Sequence, residues 1–408
     1  MSILVLNAGS SSLKFGLFAA EGCTALASGG IDWADGDRRH AELVICGGRA
    51  GELRCRVDVP DDHAAAFCAI RRLAEMAMAD PEQFPAIEVV GHRVVHGGSE
   101  FPDSVLIDTG VKENMARLAE LAPLHNPPAL AAIRAAEAAL PEAAQVAVFD
   151  TAFYAHLPPK AYVYPLPYQW HVDWGVRRFG FHGISHQYCA CRAAEMLGRD
   201  LAQLRIVSCH LGGGCSATAV RGGVAIATTM GFTPMEGLMM GTRAGSVDPG
   251  ILIYLLRSQG LTADEIDEAL NCRSGLLGVS GVSADLAKIA EAAEQGNHRA
   301  RLAFDMFTDR VRAAIGSLAV AMGGVDALIF TDRVGENSAI LRAAACEGLE
   351  CLGLQLDRQR NVTCPSDADV ATTESSARIL LIHCREELMI AREAWRVSHT
   401  AFTKSPPA

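Results

Sequence analysis

Two segments of the chain, one at the N-terminus and one near the middle, follow the same plan. In the first, the apolar run at 3–6 leads through a turn of small residues at 7–12 into a second apolar run at 13–18. In the second, 204–211 leads through Gly212–Ser216 into 217–220. Each pattern predicts a strand, a tight turn and a strand. Two such hairpins suggest two related domains, although an unrelated pair of hairpins would produce the same pattern.

Helical and strand-like runs alternate through the rest of the sequence. Strand patterns occupy 86–90, 145–149 and 326–331, and Thr262 with Glu265 forms a capping box at the start of one helix. Strands that alternate with helices predict an α/β protein with mixed or parallel sheets. The predicted helices cover 64–79, 111–121, 128–139, 184–197, 249–258, 262–270, 283–295, 298–322, a segment from about 338, and 385–396.

Composition excludes several classes of protein. The chain has 408 residues, half of them hydrophobic, which is enough for two or three domains with their own cores. A net charge of -11 argues against binding to nucleic acid or to an anionic membrane surface. The longest apolar run, 318–330, is too short to span a bilayer and contains Asp326. The N-terminus resembles no secretory signal, so we expect a cytoplasmic protein, and the 13 cysteines contain no C-x-x-C pair that would indicate zinc.

The two turns of small residues are candidate phosphate sites. Bare backbone N–H groups in such turns can approach an anion, and Lys14 adds positive charge beside the first turn. Ordinary turn chemistry explains the same residues equally well. The candidate residues are Asn7, Ser10, Ser12 and Lys14 in the first turn and Gly212, Gly213 and Gly214 in the second.

Charged and imidazole residues at strand ends form a second group of candidates. Arg93 and Arg243 are fixed cations in an acidic protein, which favours an anionic substrate. His125 and His182 lie in loops after apolar segments, where a satisfied structural histidine is also common. Asp150 follows a strand and Glu386 begins the last helix. Each of these two carboxylates could be catalytic, could hold a metal, or could only cap or favour a helix N-terminus.

Nine motifs in order make the chain resemble the acetate kinase (acetokinase) family of the sugar kinase, Hsp70 and actin superfamily. The resemblance covers essentially the whole chain. The motifs are LNAGSSSLKF at 6–15, GHRVVHGG at 91–98, LAPLHNPPAL at 121–130, VFDTAF at 148–153, RRFGFHGISH at 177–186, SCHLGGGCS at 208–216, MGFTPMEGLMMGTRAGSVDPG at 230–250, GENS at 335–338 and EELMIAR at 386–392.

The resemblance implies a fold, an activity and partners. It implies two ribonuclease-H-like (actin-like ATPase) α/β domains with mixed sheets facing a central cleft. Residues 1–150 plus 385–408 would form one domain and 151–384 the donor-binding one, with a hinge at the two crossings. It also implies reversible, direct in-line phosphoryl transfer from ATP to acetate, giving acetyl phosphate and ADP, with Mg²⁺ or Mn²⁺ as cofactor and a homodimeric assembly.

The resemblance also implies residue roles. Arg93, Asp150, His182 and Arg243 would be catalytic, and Asn7, Asp150 and Glu386 would hold the metal. His125 would bind phosphate, and an apolar pocket would take the methyl group of acetate. The pocket residues are Val95, Leu124, Phe181 and Pro234. The nucleotide and phosphate contacts are Ser10, Ser12, Lys14, His210, Gly212, Gly213, Gly214, Asp285, Gly335 and Asn337.

Several positions depart from the family pattern on the nucleotide side. Asp332 and Arg333 stand where the family has small residues in the loop before GENS, and Ala287 replaces an arginine near the adenine. Gly213 stands where the family has asparagine. These departures leave two alternatives to an ATP-dependent kinase. One is an enzyme that uses pyrophosphate or another compact donor, and the other is a catalytically weak regulatory homologue.

Overall fold

The computed structural model describes residues 1–9, 12–33, 38–47, 51–123 and 125–404. The chain divides into two compact units. Unit 1 comprises Met1–Ala155 with Arg385–Ala408, and unit 2 comprises His156–Cys384. The first crossing between the units therefore lies five residues later than the boundary predicted from sequence, and the second coincides with it. No helix in the described part of the chain is both long and apolar enough to cross a membrane.

Unit 1 is built on an eight-stranded mixed sheet with the order β5-β4-β3-β2-β1-β6-β8-β7. The first five strands are antiparallel neighbours, and β1, β6 and β8 run parallel. The strands are β1 (Ser2–Ala8), β2 (Ser12–Ala19), β3 (Ala25–Asp32), β4 (Ala41–Gly47), β5 (Glu52–Val57), β6 (Ile87–Val94), β7 (Val105–Leu106) and β8 (Ala144–Phe149).

Helices cover both faces of the central strands of unit 1. One face packs with α1 (Asp62–Ala79) and α3 (Asn126–Ala139) in a core that includes Leu4, Leu6 and Phe15. A shorter helix, α2 (Thr109–Arg117), packs beside α3. The C-terminal helix α15 (Glu386–Lys404) lies against β1, β6 and β8. It approaches β6 closely at Gly91, where a Cβ atom would lie 2.9 Å from Ile390 Cγ2.

Unit 2 is built on a six-stranded mixed sheet with the order β11-β10-β9-β12-β14-β13. β9 pairs antiparallel with β10 and parallel with β12, so the second predicted hairpin is confirmed at the centre of this sheet. The strands are β9 (Arg205–Leu211), β10 (Cys215–Arg221), β11 (Val224–Thr228), β12 (Ala327–Thr331), β13 (Ala368–Asp369) and β14 (Arg378–Leu381).

The helices of unit 2 agree with the sequence patterns in part. The long helix at 298–322 and the capping box of Thr262 and Glu265 are confirmed. The predicted helix at 249–258 ends at Tyr254 and continues as a π turn, and the one predicted at 283–295 begins at Leu286. The helices are α4 (Pro159–Tyr162), α5 (Tyr168–Trp174), α6 (Gly183–Leu197), α7 (Pro249–Tyr254), α8 (Ala263–Cys272), α9 (Gly275–Ser280), α10 (Leu286–Glu294), α11 (His298–Met322), α12 (Asp332–Asn337), α13 (Ala339–Cys346) and α14 (Arg358–Thr363).

Candidate active site

In unit 1, Arg93 is clamped between a carboxylate and an amide at the ends of three neighbouring parallel strands. Its Nη2 donates to Asp150 Oδ2 at 2.7 Å, its Nε donates to the same oxygen at 3.2 Å, and its Nη1 donates to Asn7 Oδ1 at 3.1 Å. Asn7 lies near the end of β1, Arg93 near the end of β6, and Asp150 directly after β8. The parallel pairing of these strands brings the three side chains together, because their carboxyl ends lie at the same edge of the sheet.

The charges around Arg93 keep its guanidinium ionised. Burial opposes the charged form, but Asp150 and then Glu386 outweigh burial, so the pKa of Arg93 lies above its ordinary value. The Asp150 side chain is fully buried and the Arg93 side chain is 16% exposed. A buried carboxylate paired with a well-bonded arginine holds the cation in one orientation. Asp150 therefore acts as a partner of Arg93 and is not the N-cap of the turn that it begins, which is Phe149.

Two further carboxylates lie beside the same asparagine. Asn7 Nδ2 is 3.3 Å from Glu386 Oε2 and 3.4 Å from Glu387 Oε1, and both glutamates begin α15. We call Asn7, Arg93, Asp150, Glu386 and Glu387 the Arg93 cluster. Oxygen donors of this kind suit Mg²⁺ or Mn²⁺. One oxygen each of Asn7, Asp150, Glu386 and Glu387 accepts a hydrogen bond within the cluster, and each of these side chains keeps a further lone pair that a metal ion could use.

The remaining predicted residues of unit 1 lie on segments next to these strands or outside the described residues. Lys14 pairs with Asn7 across the β1–β2 hairpin and is exposed, and Ser12 begins β2. His125 immediately precedes α3. Val95 is buried just after β6. Ser10 and Leu124 lie outside the described residues, so the four-residue apolar pocket stays a prediction.

In unit 2, the half-buried His182 is hydrogen-bonded to a buried network of histidines and serines. His182 Nδ1 is 2.9 Å from Ser216 Oγ, which is 2.8 Å from His186 Nε2. His186 Nδ1 is in turn 2.9 Å from Ser208 Oγ. We call these four residues the histidine–serine chain. His182 itself has a φ of 55°, an unusual conformation for a residue other than glycine, at the N-cap of α6.

His210 packs beside this chain. Its ring stacks on that of His182 with the centroids 4.1 Å apart, and its Nδ1 is 2.8 Å from Ser185 Oγ. Its Nε2 lies 3.2 Å from Asp332 Oδ2. Desolvation, followed by the neighbouring His210, lowers the pKa of His186 well below its ordinary value, so His186 is neutral at physiological pH.

Arg243 approaches the glycine turn at the end of the β9–β10 hairpin. A Cβ atom on Gly214 would lie 3.3 Å from His182 Nε2 and 3.4 Å from Arg243 Nη1, so a larger residue here would push both side chains back by a few tenths of an ångström. Arg243 Nη1 also donates to the Pro234 carbonyl oxygen at 3.3 Å. Burial lowers the pKa of Arg243 below its ordinary value, yet it stays a cation at neutral pH. Phe181, beside His182 in sequence, is buried.

The segment before GENS is not a loop, as the resemblance to the family implied, but part of a helix. Residues 332–337 form the short helix α12, and Asp332 starts it with a φ of 64°. The Asp332 carboxylate lies against Gly212, where a Cβ atom would be 1.7 Å from Asp332 Oδ2. In the turn at 212–214, an acidic side chain therefore lies over the first glycine, and its role as a phosphate site stays a prediction.

The other predicted nucleotide residues lie around α12. Arg333 Nη1 is 3.2 Å from Asp285 Oδ2, and the Arg333 side chain is 64% exposed. Asp285 caps α10 through Ala287 N–H. Asn337 Nδ2 donates to the carbonyl of Arg333 within α12. Gly335 is buried in the same helix. Thus Arg333 forms a surface ion pair with a residue that itself was predicted to contact nucleotide.

Sequence reasoning missed several members of both groups. Glu387 was quoted only within the motif at 386–392. Ser208, Ser216 and His186 were quoted within motifs but received no role. His186 follows His182 by four residues, which places both on one helical face, and this spacing was the available signal. No local pattern indicated that Asp332 would reach His210.

Comparisons with known proteins agree with this fold. The model of the acetokinase family matches residues 2–392. A protein of Gloeobacter violaceus named acetate kinase is 50% identical over 415 residues, covering 97% of this chain and 99% of that protein. The crystal structure of Porphyromonas gingivalis acetate kinase superposes with a TM-score of 0.87 at 39% identity, and that of a propionate kinase from Francisella tularensis with 0.87 at 35%. Each alignment covers 97% of this chain and 99% of the other. The predicted α/β class with two mixed-sheet, actin-like domains is confirmed, and the chain belongs to the acetokinase family.

Proposed function

We propose that this protein is an acetate kinase, which transfers a phosphoryl group reversibly between ATP and acetate by direct in-line transfer. The observation that carries the proposal is the clamped Arg93, a buried cation whose position is fixed by Asp150 and Asn7. A carboxylate acceptor and a polyphosphate repel each other. A preorganised arginine that neutralises this charge without reorganising is the main contribution a protein can make to such a transfer.

Within this proposal the Arg93 cluster binds the metal and orients the acyl phosphate. Asn7, Asp150 and Glu386, with Glu387 beside them, would hold Mg²⁺ or Mn²⁺, and Asn7 and Asp150 also keep Arg93 in place. Bound there, the metal would neutralise charge on the transferring phosphoryl group. Arg243 and His182 donate hydrogen bonds to phosphoryl oxygens, with His125 and His210 as further phosphate contacts. Val95, Leu124, Phe181 and Pro234 would enclose the methyl group.

Nucleotide binding is assigned to the glycine turns and to the α12 region. Ser10, Ser12, Lys14 and the turn at 212–214 would contact phosphates, and Asp285, Gly335 and Asn337 would contact the nucleoside. A pyrophosphate donor and a weak regulatory homologue are not favoured. The full-length relatives named above are acetate kinases, and Arg333 is engaged by Asp285 instead of offering an unpaired charge for a compact donor.

Assembly and compartment complete the proposal. We infer a homodimer, because α5 exposes Tyr168, Trp170 and Trp174 by 66, 39 and 67%, and clustered exposed aromatic side chains are typical of interfaces. Sedimentation of the wild type and of Trp174→Glu tests this inference, since the variant should shift toward monomer. We infer the cytoplasm because thirteen free thiols suit a reducing compartment.

The function is tested by trapping acetyl phosphate as its hydroxamate, with ATP and acetate and with Mg²⁺, Mn²⁺ or chelator. Arg93→Ala should lower kcat by about 10³-fold or more while the protein stays folded. Arg38→Ala is the matched control, because Arg38 forms a 2.7 Å ion pair with Asp62 in the same unit. Its kcat should stay near that of the wild type. Equal activity of both variants, or no acetyl phosphate from the wild type, would refute the proposal.

Donor choice is tested separately by measuring kcat/KM for ATP and pyrophosphate. ATP should be strongly preferred by the wild type. Arg333→Gly should change kcat/KM for ATP by less than about threefold, because it removes only an exposed ion pair. A wild type that uses pyrophosphate as well as ATP would contradict this assignment.

A further inference from the structure

The histidine–serine chain has a single allowed direction of hydrogen bonding. Ser208, His186 and Ser216 are all fully buried, at 0% exposure. Bulk water therefore does not reach their polar atoms, and each proton is given to a neighbour within the protein. A serine hydroxyl donates once and accepts up to twice, whereas a neutral imidazole donates from one nitrogen and accepts at the other. These rules fix every proton in the chain.

The direction begins at Ser208. Among the described residues, the hydrogen-bond partner of its hydroxyl is His186 Nδ1, so Ser208 must donate there. His186 Nδ1 then accepts, and the proton of the neutral ring is on Nε2. Neutrality is supported independently by the lowered pKa of His186, which desolvation causes with the help of His210.

The same argument continues to His182. His186 Nε2–H donates to Ser216 Oγ at 2.8 Å. Ser216 then has its own proton left, and His182 Nδ1 at 2.9 Å is its remaining partner. His182 Nδ1 is therefore an acceptor, so the ring carries its one N–H proton on Nε2.

We propose that Ser208, His186 and Ser216 are positioning residues that fix the tautomer of His182, so that its Nε2 is permanently a hydrogen-bond donor toward the glycine turn. His182 Nε2 lies at the side of Gly214 where Arg243 Nη1 also approaches. Two donors then face the same point, as binding of a phosphoryl oxygen requires. The opposite tautomer would present a lone pair there and would repel an anion.

The fixed tautomer also has a consequence for the reaction path. Phosphorylation of an imidazole needs a nitrogen lone pair to attack phosphorus. In His182 the Nδ1 lone pair accepts the Ser216 proton and Nε2 carries a proton. Neither nitrogen then offers a lone pair to phosphorus, which agrees with the direct in-line transfer proposed above. This part of the inference rests on the proposed function, whereas the tautomer itself does not.

The tautomer is measured by two-bond ¹H–¹⁵N correlation NMR of the full-length protein labelled with ¹⁵N-histidine, without substrates. The His182 signals are assigned by their loss in His182→Gln. Wild-type His182 should show the pattern of a neutral Nε2–H ring. A protonated Nδ1, or an imidazolium pattern at neutral pH, would overturn the proposal even if the protein is an acetate kinase.

The sharpest variant is Ser208→Ala, because Ser208 does not touch His182. Without the Ser208 hydroxyl proton, the two possible directions of hydrogen bonding in the histidine–serine chain become nearly equal in free energy. His182 should therefore show a mixture of tautomers. kcat for acetyl phosphate formation should fall by roughly twofold, as expected when half of the molecules are competent. Ser216→Ala removes the contact to His182 itself, so its kcat should fall further, by about tenfold. KM for acetate should change little in both variants.

Two variants separate this role from ordinary packing. Ser208→Thr keeps the hydroxyl and should retain the Nε2–H pattern. Thr218→Val removes a buried hydroxyl directly opposite Ser208 on β10 that is not part of the histidine–serine chain. This variant should leave the His182 signals unchanged. The proposed positioning role is refuted if Thr218→Val shifts the tautomer as much as Ser208→Ala does. It is also refuted if Ser208→Ala leaves the tautomer unchanged. If the NMR pattern holds but no acetyl phosphate forms, the proposed function fails and the fixed tautomer stands.

Discussion

Replacing Gly212 with alanine tests how Asp332 lies over the glycine turn. The added Cβ would be 1.7 Å from Asp332 Oδ2, so the carboxylate must leave its place and its 3.2 Å contact with His210 Nε2. The carboxylate is the end of a flexible side chain, so it can rotate away and the backbone need not move. The expected loss of stability is therefore the lost contact plus local repacking, about 1–2 kcal/mol.

Gly213→Ala is the matched control, because a Cβ at Gly213 would have no neighbour within 4 Å. Neither glycine has a positive φ, so both variants restrict the unfolded chain to a similar extent. Urea unfolding should show Gly212→Ala about 1–2 kcal/mol less stable than Gly213→Ala. In an Asp332→Gly background the difference should vanish, and glycine also suits the φ of 64° at that position. Equal stabilities of the two alanine variants, or no coupling to Asp332, would refute the reasoning.

Three further predictions concern the cores of the two units. Arg342→Met should lower the free energy of unfolding by about 3 kcal/mol in urea titrations, because the buried guanidinium bonds Asn361 and the carbonyls of residues 335 and 336; an unchanged midpoint would contradict it. Burial, opposed by the hydrogen bond to Gln145, lowers the pKa of His92 from 6.5 to about 4. The contribution of neutral His92 to the free energy of unfolding is complete above pH 6.5. Roughly 3 kcal/mol of that free energy is lost as the pH falls to 4, because His92 takes up its proton in the unfolded chain first. Urea midpoints at pH 5 and 7 should therefore differ more in the wild type than in His92→Gln. Gly91→Ala should destabilise unit 1 by about 1–3 kcal/mol through its clash with Ile390, and Ile390→Ala in the same chain should recover part of the loss.

The elements of secondary structure that depend on local residue patterns could be predicted from the sequence. Both hairpins, the long helix at 298–322 and the start of the last helix follow from periodicity and turn residues, and the structure has them. Four of the five members of the Arg93 cluster, all but Glu387, were also named from the sequence, because each lies at the end of an apolar strand or begins a helix. Such positions are visible in the sequence without knowledge of the partner.

Features that depend on distant contacts could not be read in this way. The left-handed start of α12 at Asp332 is held by tertiary neighbours, including His210, more than a hundred residues earlier. The strands β3, β4 and β5 received no prediction because β3 is rich in small residues and β5 is mostly exposed. The role of Ser208 requires knowing which buried atoms lack water, and burial of one hydroxyl is not a property of its sequence neighbours.

The place of α15 in the chain constrains the order in which the protein can mature on the ribosome. The strands β1, β6 and β8 are complete once residue 149 has been synthesised, but the helix that covers one of their faces begins at Glu386. At ordinary rates of translation that interval lasts about 10–50 s. During this time unit 2 can fold as a continuous segment, while the apolar face of unit 1 awaits its last helix. Nascent chains stalled before residue 386 should therefore present an open face to chaperones, which bind exposed apolar surface, and release of the finished chain closes it.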